Sequence, residues 1–283
     1  MTELLELIDI QRKNNENILI EDNSDESKIA VVYCSSNAVY APDTPEAFKR
    51  KIMDKDRYEW YALRMDIPAK HIFIRDVGKN FYREGINDNV NSLEKLAERL
   101  KKETEGYKVR LLGSSSGGYA SIALGLMLGA EYVMSFSGQF WPFVMSDGSS
   151  FLNKKYKDYD YINLRENVKN SNMPIFYMMP TKSPCDIPQY ELVKDCPNVH
   201  TCAIISNAHG VCVNKTTVRK IIDSPYEKLL KIYSFPLEHP INEFVLVKKF
   251  FGKRMLVKRL FDYVKKYPLF FLRKDFYEMI SGK

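Results

Sequence analysis

The stretch GSSSGG at residues 113–118 lies between an apolar run typical of a buried strand, residues 107–112, and an apolar run with the length of a helix, residues 119–128. A strand that turns directly into a helix forces the central residue of the turn, Ser115, into a strained backbone conformation. Small residues two positions to either side keep the strand and the helix from colliding. We therefore expect the Ser115 hydroxyl to be exposed at the end of the strand, with the N–H of Ser116 directed at the same space.

The composition of the chain is that of a globular protein with reduced thiols. Its 283 residues are 45% apolar, which suffices for one large α/β domain or two small ones. The five cysteines are odd in number and lack Cys-x-x-Cys spacing, so we expect neither a disulfide framework nor a metal site. Residues 1–17 lack the basic and apolar regions of a signal peptide, which predicts a cytoplasmic protein.

Positive charge is concentrated at the C-terminal end of the chain. Residues 248–283 hold 11 Lys and Arg against 3 Asp and Glu, and the remainder carries a net charge of −2. Nucleic acid is not an expected partner, because the body of the protein has no basic excess. Within residues 246–264 apolar side chains recur at helical spacing among the lysines. Such a helix either lies on an anionic membrane surface or docks on the domain with its basic side solvated.

Short apolar segments alternate with helical patterns along the chain. Strands are predicted at residues 29–33, 71–74, 107–112, 132–136, 175–179 and 199–205, and a helix with one apolar face at residues 91–102. The alternation predicts an α/β fold with a mostly parallel sheet flanked by helices. The predicted boundaries are an N-terminal helix and lead-in at 1–27, an α/β domain at 28–235 with a lid-like insertion at 140–172, and a basic helical extension at 236–283.

Polar side chains that follow the predicted strands are candidates for chemistry, because the carboxyl ends of parallel strands meet at one edge of the sheet. A serine hydroxyl becomes a nucleophile when a histidine accepts its proton and a carboxylate orients that histidine. After such a turn the expected chain order is serine, acid, histidine. Asp186 follows a strand in a proline-rich loop, and His209 follows the last strand. Asp147 and Asp158 in the insertion remain alternatives for the acid.

The other histidines do not have this placement. His71 and His200 begin strands, which puts them at the opposite edge of the sheet, and His239 lies beyond the predicted domain. Asp195 also precedes a strand and is excluded as the acid for the same reason. His209 is therefore the candidate base.

Taken together, the turn at residues 113–118, Asp186 and His209 resemble the α/β-hydrolase superfamily, and the resemblance covers residues 28–222. It implies a nucleophile at Ser115, a base at His209 and an orienting acid at Asp186. This implied arrangement is the one that acyl-transfer enzymes with a catalytic serine use.

The resemblance also implies an oxyanion hole made of two backbone N–H groups. One belongs to Ser116, and the other to the loop after the first core strand. That loop reads CSSN at residues 34–37 and lacks the His-Gly-Gly-Gly of lipases, so we expect the second N–H from Ser35 or Ser36.

Three further features are the Arg75-Asp76 strand end, Phe81-Tyr82 and the basic C-terminal extension. With them the chain resembles, more loosely, α/β-hydrolase-type proteins of bacterial surface-polysaccharide loci, some of which are O-acyltransferases. This resemblance implies a carbohydrate substrate, which we expect to be contacted by Asn37, Asp76, Tyr82 and Trp141. The aromatic side chains of Phe140, Trp141 and Phe143 either stack on a sugar ring or fill the core of the insertion.

The expected function is acyl transfer through an acyl-enzyme on Ser115, by a carboxylester hydrolase or an O-acetyltransferase that acts on a carbohydrate or surface polysaccharide. No cofactor is expected, apart from acetyl-CoA as the acyl donor of a transferase. The expected partners are a small-molecule or glycan substrate and the inner face of the membrane, contacted through residues 245–283. The alternative is an inactive hydrolase-fold protein that binds a glycan or a partner protein. A phosphate-binding turn at 113–118 is disfavoured, because Gly-Lys-Ser/Thr and Gly-x-Gly-x-x-Gly are both missing.

Overall fold

The computed structural model describes residues 2–23, 27–67, 69–142 and 161–266. Within them seven strands form one sheet in the order β1-β3-β2-β4-β5-β6-β7. The strands are β1 (Ile18–Asp22), β2 (Ile29–Cys34), β3 (Lys70–Ile74), β4 (Lys108–Ser114), β5 (Tyr132–Phe136), β6 (Ile175–Pro180) and β7 (Val199–Ile204). Strand β1 pairs with β3 antiparallel, and every other pair of neighbours is parallel.

The helices lie on both sides of the sheet. They are α1 (Thr2–Asn14), α2 (Pro45–Phe48), α3 (Leu93–Glu103), α4 (Ser116–Leu128), α5 (Arg165–Lys169), α6 (Asp186–Val193), α7 (Lys215–Ile222), α8 (Tyr226–Ile232), α9 (Glu243–Phe251) and α10 (Lys253–Lys266). Helix α2 continues as a π-helical turn over Lys49–Asp54, and a 3₁₀ turn covers Tyr61–Leu63. The predicted mostly parallel sheet flanked by helices is confirmed.

Two apolar cores, one on each face of the sheet, explain why the parallel strands are apolar along nearly their whole length. Helices α3, α4, α5 and α6 cover one face, where Leu96, Leu124 and Tyr177 belong to one buried cluster. Helices α7, α8 and α9 cover the other, where Phe176, Ile221 and other buried side chains form the second cluster. Strands β5 and β6 are buried at every residue.

Helix α4 is the most deeply buried of the helices that flank the site. Every residue from Ser116 to Gly125 is buried, as expected for a helix that is apolar on all sides. It ends at Gly129, whose φ of 64° is the left-handed conformation that commonly terminates helices. The strand before α4 and the helix itself are therefore held rigidly, and the turn between them is fixed by its surroundings.

Three features differ from the sequence prediction. The edge strand β1 was not predicted, because the apolar run of its sequence ILIED is only three residues long and all its positions are half-buried or exposed. The predicted amphipathic segment at 246–264 is two helices, since Gly252 with a φ of 85° separates α9 from α10. Most of the lid-like insertion lies outside the described residues, and with it Asp147, Asp158 and Phe143.

Helix α9 belongs to the folded domain. Leu246 is fully buried in the core of its sheet face, and Phe244 and Val247 are buried as well. Helix α10 packs on α9 through Leu256 and through an ion pair between Arg259 and Glu243, with Nε and Oε1 2.9 Å apart. Among the described helices, none combines the length and the hydropathy needed to cross a bilayer.

We expect the replacement of Leu124 by alanine to lower the free energy of unfolding by about 2–5 kcal/mol, because a fully buried leucine leaves a cavity. Met127 on the same helix is 41% exposed, and Met127→Ala should change the free energy by no more than about 0.5 kcal/mol. Urea unfolding followed by circular dichroism measures both. Equal losses in the two variants would contradict the placement of α4 against the sheet.

Candidate active site

The turn between β4 and α4 holds Ser115 in an unusual backbone conformation. Its φ is 54° and its ψ is −123°, a strained combination for a residue with a side chain. The Ser115 N–H donates to the carbonyl oxygen of Phe136 at the end of β5, 2.9 Å away. A Cβ atom on Gly113 would overlap the carbonyl of Gly117 and lie 2.5 Å from Ser121 Oγ. Only glycine fits there, and the turn leaves the Ser115 side chain partly exposed.

Three side chains at this edge of the sheet are hydrogen-bonded in series. His209 Nε2 lies 2.9 Å from Ser115 Oγ, and His209 Nδ1 lies 2.9 Å from Asp186 Oδ2. The Asp186 side chain is 1% exposed and the His209 side chain 33%, so the acid is buried behind a histidine that reaches the surface. The arrangement lets the imidazole accept the serine proton while the carboxylate holds its other N–H.

The loops that carry the acid and the histidine are tied together. The Lys182 N–H donates to the carbonyl of Ser206 at 2.9 Å, and Ser137 Oγ donates to the carbonyl of Gly210 at 2.9 Å. Asp186 is the first residue of α6, where the sequence predicted an irregular proline-rich loop. Of the three prolines that suggested a loop, Pro188 lies in the first turn of the helix, where its missing N–H costs nothing.

Two buried groups lie close to Asp186. Burial, followed by the charge of Asp186, raises the pKa of the Tyr177 hydroxyl far above its usual value. The same two causes, in the same order, raise the pKa of the Cys212 thiol. A thiol that stays protonated is neither a nucleophile nor easily oxidised, so Cys212 serves as a small packing residue.

The two histidines that begin strands lie in other surroundings. His71 is buried, with Nδ1 3.1 Å from the hydroxyl of Tyr33, and burial lowers its pKa. The ring of His200 stacks on Phe176 with centroids 5.5 Å apart, and burial lowers its pKa as well. Burial thus favours the neutral form of both imidazoles, and both lie away from the Ser115 turn.

The first expected oxyanion donor, Ser116, begins helix α4. The first N–H groups of a helix have no acceptor within it and carry the positive end of its dipole. The Ser116 hydroxyl donates to Asn37 Oδ1 at 2.9 Å, which joins this turn to the loop after β2. A Cβ on Gly117 would lie 2.7 Å from the carbonyl oxygen of Ser35, so loop and helix are in direct contact.

Of the two residues expected to supply the second donor, Ser35 uses its N–H in the sheet. That N–H donates to the carbonyl of Ile74 at 3.1 Å. The Ser36 N–H donates instead to Glu59 Oε2, and Ser36 Oγ donates to Glu59 Oε1 at 3.1 Å. Burial raises the pKa of the Glu59 carboxyl. No sequence pattern indicates Glu59, because it lies in a charged and aromatic stretch with no periodicity, 23 residues from its partner Ser36.

Two of the expected substrate-binding residues are turned into the protein. The Asp76 carboxylate accepts the N–H groups of Asn80 and Tyr82 at 2.8 and 2.9 Å, and burial raises its pKa to about 6. The Tyr82 hydroxyl donates to the carbonyl of Ser35 at 3.1 Å. Both side chains are buried, 2% and 0% exposed, so the structure offers neither to a substrate. They support the loop after β2 from behind.

The other two expected substrate-binding residues, Asn37 and Trp141, lie near the surface. Asn37 lies beside the turn through its bond to Ser116. Trp141 is partly exposed. Its backbone N–H donates to Gln189 Oε1 at 3.1 Å, and its backbone carbonyl accepts from Gln189 Nε2 at 2.9 Å. Gln189 follows Asp186 by three residues on α6, which places Trp141 on the acid side of the site. Phe140 is fully buried, with its ring edge-on to Tyr177, and so fills the core.

A cleft of about 380 Å³ opens beside the turn. Aromatic and charged side chains share its lining, which comprises Arg57, Tyr58, Glu59, Trp60, Ala62, Leu63, Ser114, Val211 and Lys215. In the described ranges of the chain, no three His, Cys, Asp or Glu side chains are grouped in a way that could hold a metal ion. The polar groups that face the cleft are suited to organic ligands with hydroxyl or charged groups.

No protein-family model and no curated protein matches the sequence. Solved structures match it in fold. A capsule O-acetyltransferase of Neisseria meningitidis serogroup A is 13% identical, with a TM-score of 0.51 over 77% of this chain and 92% of that chain. A second structure of that enzyme is 14% identical, with a TM-score of 0.51 over 77% and 93%. The chain has the α/β-hydrolase fold. An esterase domain from Rhodothermus marinus is 11% identical, with a TM-score of 0.44 over 72% and 87%.

In this α/β-hydrolase fold the strands β2, β4, β6 and β7 all end at the edge where Ser115 projects. The loop after β2 carries Ser36 and Asn37, the segment after β6 carries Asp186, and the loop after β7 carries His209. The arrangement can therefore activate a hydroxyl and hold an anion beside it, which are the two requirements of acyl transfer.

We expect Asp186→Asn to lower kcat for p-nitrophenyl acetate about 10⁴-fold, because an amide favours the histidine tautomer whose Nε2 already carries a proton. Asp195→Asn is the matched control: this acid is exposed and paired with Arg165 at 3.2 Å, and its loss should leave the rate unchanged. Thermal unfolding checks that both variants fold. Similar rates for Asp186→Asn and the parent protein would exclude Asp186 as the orienting acid.

Proposed function

We propose that the protein is a serine acyl-transfer enzyme, with Ser115 as nucleophile, His209 as general base and Asp186 as the orienting acid. The observation that carries the proposal is the pair of 2.9 Å hydrogen bonds that link a strained, partly exposed serine to a histidine and a buried carboxylate. Strain of this kind persists only where the surrounding structure imposes it, and it clusters at functional sites.

In the first half-reaction Ser115 Oγ attacks the carbonyl carbon of an ester or thioester. Its proton passes to His209 Nε2, and the carbonyl oxygen becomes an oxyanion bonded to the Ser116 N–H and a second N–H. Collapse of the tetrahedral intermediate breaks the bond to the leaving alcohol or thiol, which takes the proton from His209. The product of this step is an acyl-enzyme on Ser115.

In the second half-reaction a hydroxyl group gives its proton to His209 and attacks the acyl carbon. Ser115 leaves with the proton that His209 returns to it. Attack by water completes ester hydrolysis, and attack by a sugar hydroxyl completes O-acyl transfer. The same three side chains serve both outcomes, so the acceptor that reaches the acyl-enzyme decides between them.

We favour acetyl transfer from acetyl-CoA to a carbohydrate hydroxyl. Support comes from the similarity in fold to a capsule O-acetyltransferase, and from the cleft of about 380 Å³ beside Ser114. The lining of this cleft includes the rings of Tyr58 and Trp60 and the charged groups of Glu59 and Lys215. Rings beside charged groups suit a polyhydroxylated ligand.

We expect a fluorophosphonate probe to label the parent protein and to leave Ser115→Ala unlabelled. With acetyl-CoA labelled on its acetyl group, the label should pass to added surface oligosaccharide, and at least tenfold less should appear as free acetate. Absence of probe labelling would overturn the serine enzyme and favour an inactive glycan- or partner-binding protein. Label that appears only as acetate, whatever oligosaccharide is added, would establish a hydrolase.

We also propose that helix α10 contacts the anionic inner face of the membrane. One side of α10 docks on α9, whereas the other exposes Val257 and Phe261, which are 65% and 61% accessible. Exposed cations surround this apolar pair: Lys253, Arg254, Lys258 and Lys265. Apolar side chains among lysines suit the boundary between the headgroups and the acyl chains of anionic lipids.

We expect the protein to sediment with vesicles that contain phosphatidylglycerol and to stay free of pure phosphatidylcholine vesicles. The double variant Val257→Ser and Phe261→Ser should bind about tenfold more weakly, because two apolar side chains are lost from the interface. Met127→Ser removes an exposed apolar residue elsewhere and is the matched control. Point variants are preferable to removing residues 245–283, since Leu246 is part of the core. Unchanged binding of the double variant would exclude α10 as the contact.

A further inference from the structure

A carboxylate of the protein itself, that of Glu59, binds one of the two residues expected to supply the second oxyanion donor. Glu59 accepts the N–H and the hydroxyl of Ser36 on its two oxygens. The neighbouring donor, the Ser35 N–H, is committed to Ile74 in the sheet. Of the two residues whose N–H could complete the oxyanion hole with Ser116, one is therefore used by the fold and the other is held by Glu59.

Ser36 lies at the Ser115 turn. Its neighbour Asn37 accepts the Ser116 hydroxyl at 2.9 Å, and its other neighbour, Ser35, packs on Gly117 in the first turn of α4. Glu59 also shares the cleft lining with Ser114, the residue before the nucleophile. Hydrogen bonds and packing contacts thus join the loop that Glu59 holds to the first turn of α4, beside which the proposed reaction develops negative charge.

We propose that Glu59 decides between transfer and hydrolysis: its carboxylate closes the Ser36 side of the oxyanion hole until the hydroxyl groups of a bound acceptor draw it away. This inference rests on the proposed function. The side chain is then a specificity-determining residue of the reaction, and the acceptor it recognises is polyhydroxylated.

The backbone on both sides of Glu59 is anchored, so the side chain is the part that moves. Arg75 is fully buried, donates to the carbonyl of Arg57 at 3.2 Å and stacks on the ring of Tyr58 at 4.3 Å. On the other side, the indole N–H of Trp60 donates to the carbonyl of Cys34 at 3.3 Å. Rotation of the Glu59 side chain into the adjacent cleft frees Ser36 and leaves these contacts intact.

The alternative positions open to the carboxylate lie in that cleft. Arg57 and Lys215 line it with Glu59 and supply positive charge for a carboxylate that has left Ser36. The cleft has room for a ligand, and sugar hydroxyls donate hydrogen bonds to carboxylates as the Ser36 hydroxyl does. An acceptor in the cleft therefore competes with Ser36 for the same two oxygens.

The bond to Glu59 opposes acylation in two ways. The substrate carbonyl cannot use the Ser36 N–H while Glu59 holds it, and the loss of one oxyanion donor lowers the rate about 10²–10³-fold. An ionised carboxylate beside a developing oxyanion also repels it. Without an acceptor the acyl donor is thus protected from hydrolysis, which a transferase requires and an esterase does not.

The test uses substrates that need no acceptor. We expect Glu59→Ala and Glu59→Gln to react with a fluorophosphonate probe, and to hydrolyse p-nitrophenyl acetate, at least tenfold faster than the parent protein. The upper limit of the acceleration is about 10²–10³-fold, the rate effect of one oxyanion donor. Glu59→Gln keeps the shape of the side chain and removes its charge, so it remains informative if the alanine variant unfolds. Glu98→Ala removes an exposed carboxylate on α3 and should react like the parent protein.

The outcomes separate this inference from the proposed function. Faster reaction of both Glu59 variants at Ser115, with Glu98→Ala unchanged, supports both. Labelling of Ser115 in the parent protein with no acceleration in the folded Glu59 variants overturns the role of Glu59 and leaves the acyl-transfer function standing. If no protein, including the Glu59 variants, reacts with either reagent, the proposed function fails and the inference fails with it.

Discussion

The contact between the end of β4 and the first turn of α4 controls the geometry of the whole edge. The Gly113 position excludes any Cβ, because the carbonyl of Gly117 occupies that space. This close approach fixes Ser115 with a φ of 54° and directs its hydroxyl out of the sheet. The bond from the Ser115 N–H to Phe136 locks the same residue to β5. Strand, turn and neighbouring strand thus act as one rigid body, and the loops around it need only supply side chains.

Those loops are braced in different ways. Asp186 is held by the start of a helix and buried, whereas His209 is exposed and reaches the serine from a loop tied to the neighbouring segments. The loop after β2 is supported from behind by Asp76 and Tyr82 and from in front by Glu59. The Ser115 turn is therefore fixed by backbone sterics, and the loop after β2 by side-chain hydrogen bonds.

This division explains what could be predicted from the sequence. The Ser115 turn shows in its own small residues, and Asp186 and His209 follow apolar strands whose ends define one edge. Local patterns therefore sufficed to predict that these three side chains lie together. Glu59 could not be found, because its contact with Ser36 depends on the path of an irregular segment.

Asp76 was expected to face a substrate, since it follows a strand. Its carboxylate instead turns back and accepts backbone N–H groups, an orientation that the periodicity of the sequence does not predict. Strand β1 was missed because a half-buried edge strand needs few apolar residues, and its run at residues 18–20 is too short to be distinguished.

The positions of the two tryptophans give the molecule an intrinsic optical reporter. Trp60 follows Glu59 directly and is bonded to the end of β2, and Trp141 is bonded to Gln189 on the helix that begins with Asp186. No other residue of the chain is a tryptophan. Light absorbed at the red edge of the protein spectrum is therefore emitted from two flanks of the site, one beside the loop after β2 and one beside the helix that begins with Asp186. Emission from the unmodified protein senses events at each flank, and replacing either indole by phenylalanine isolates the other.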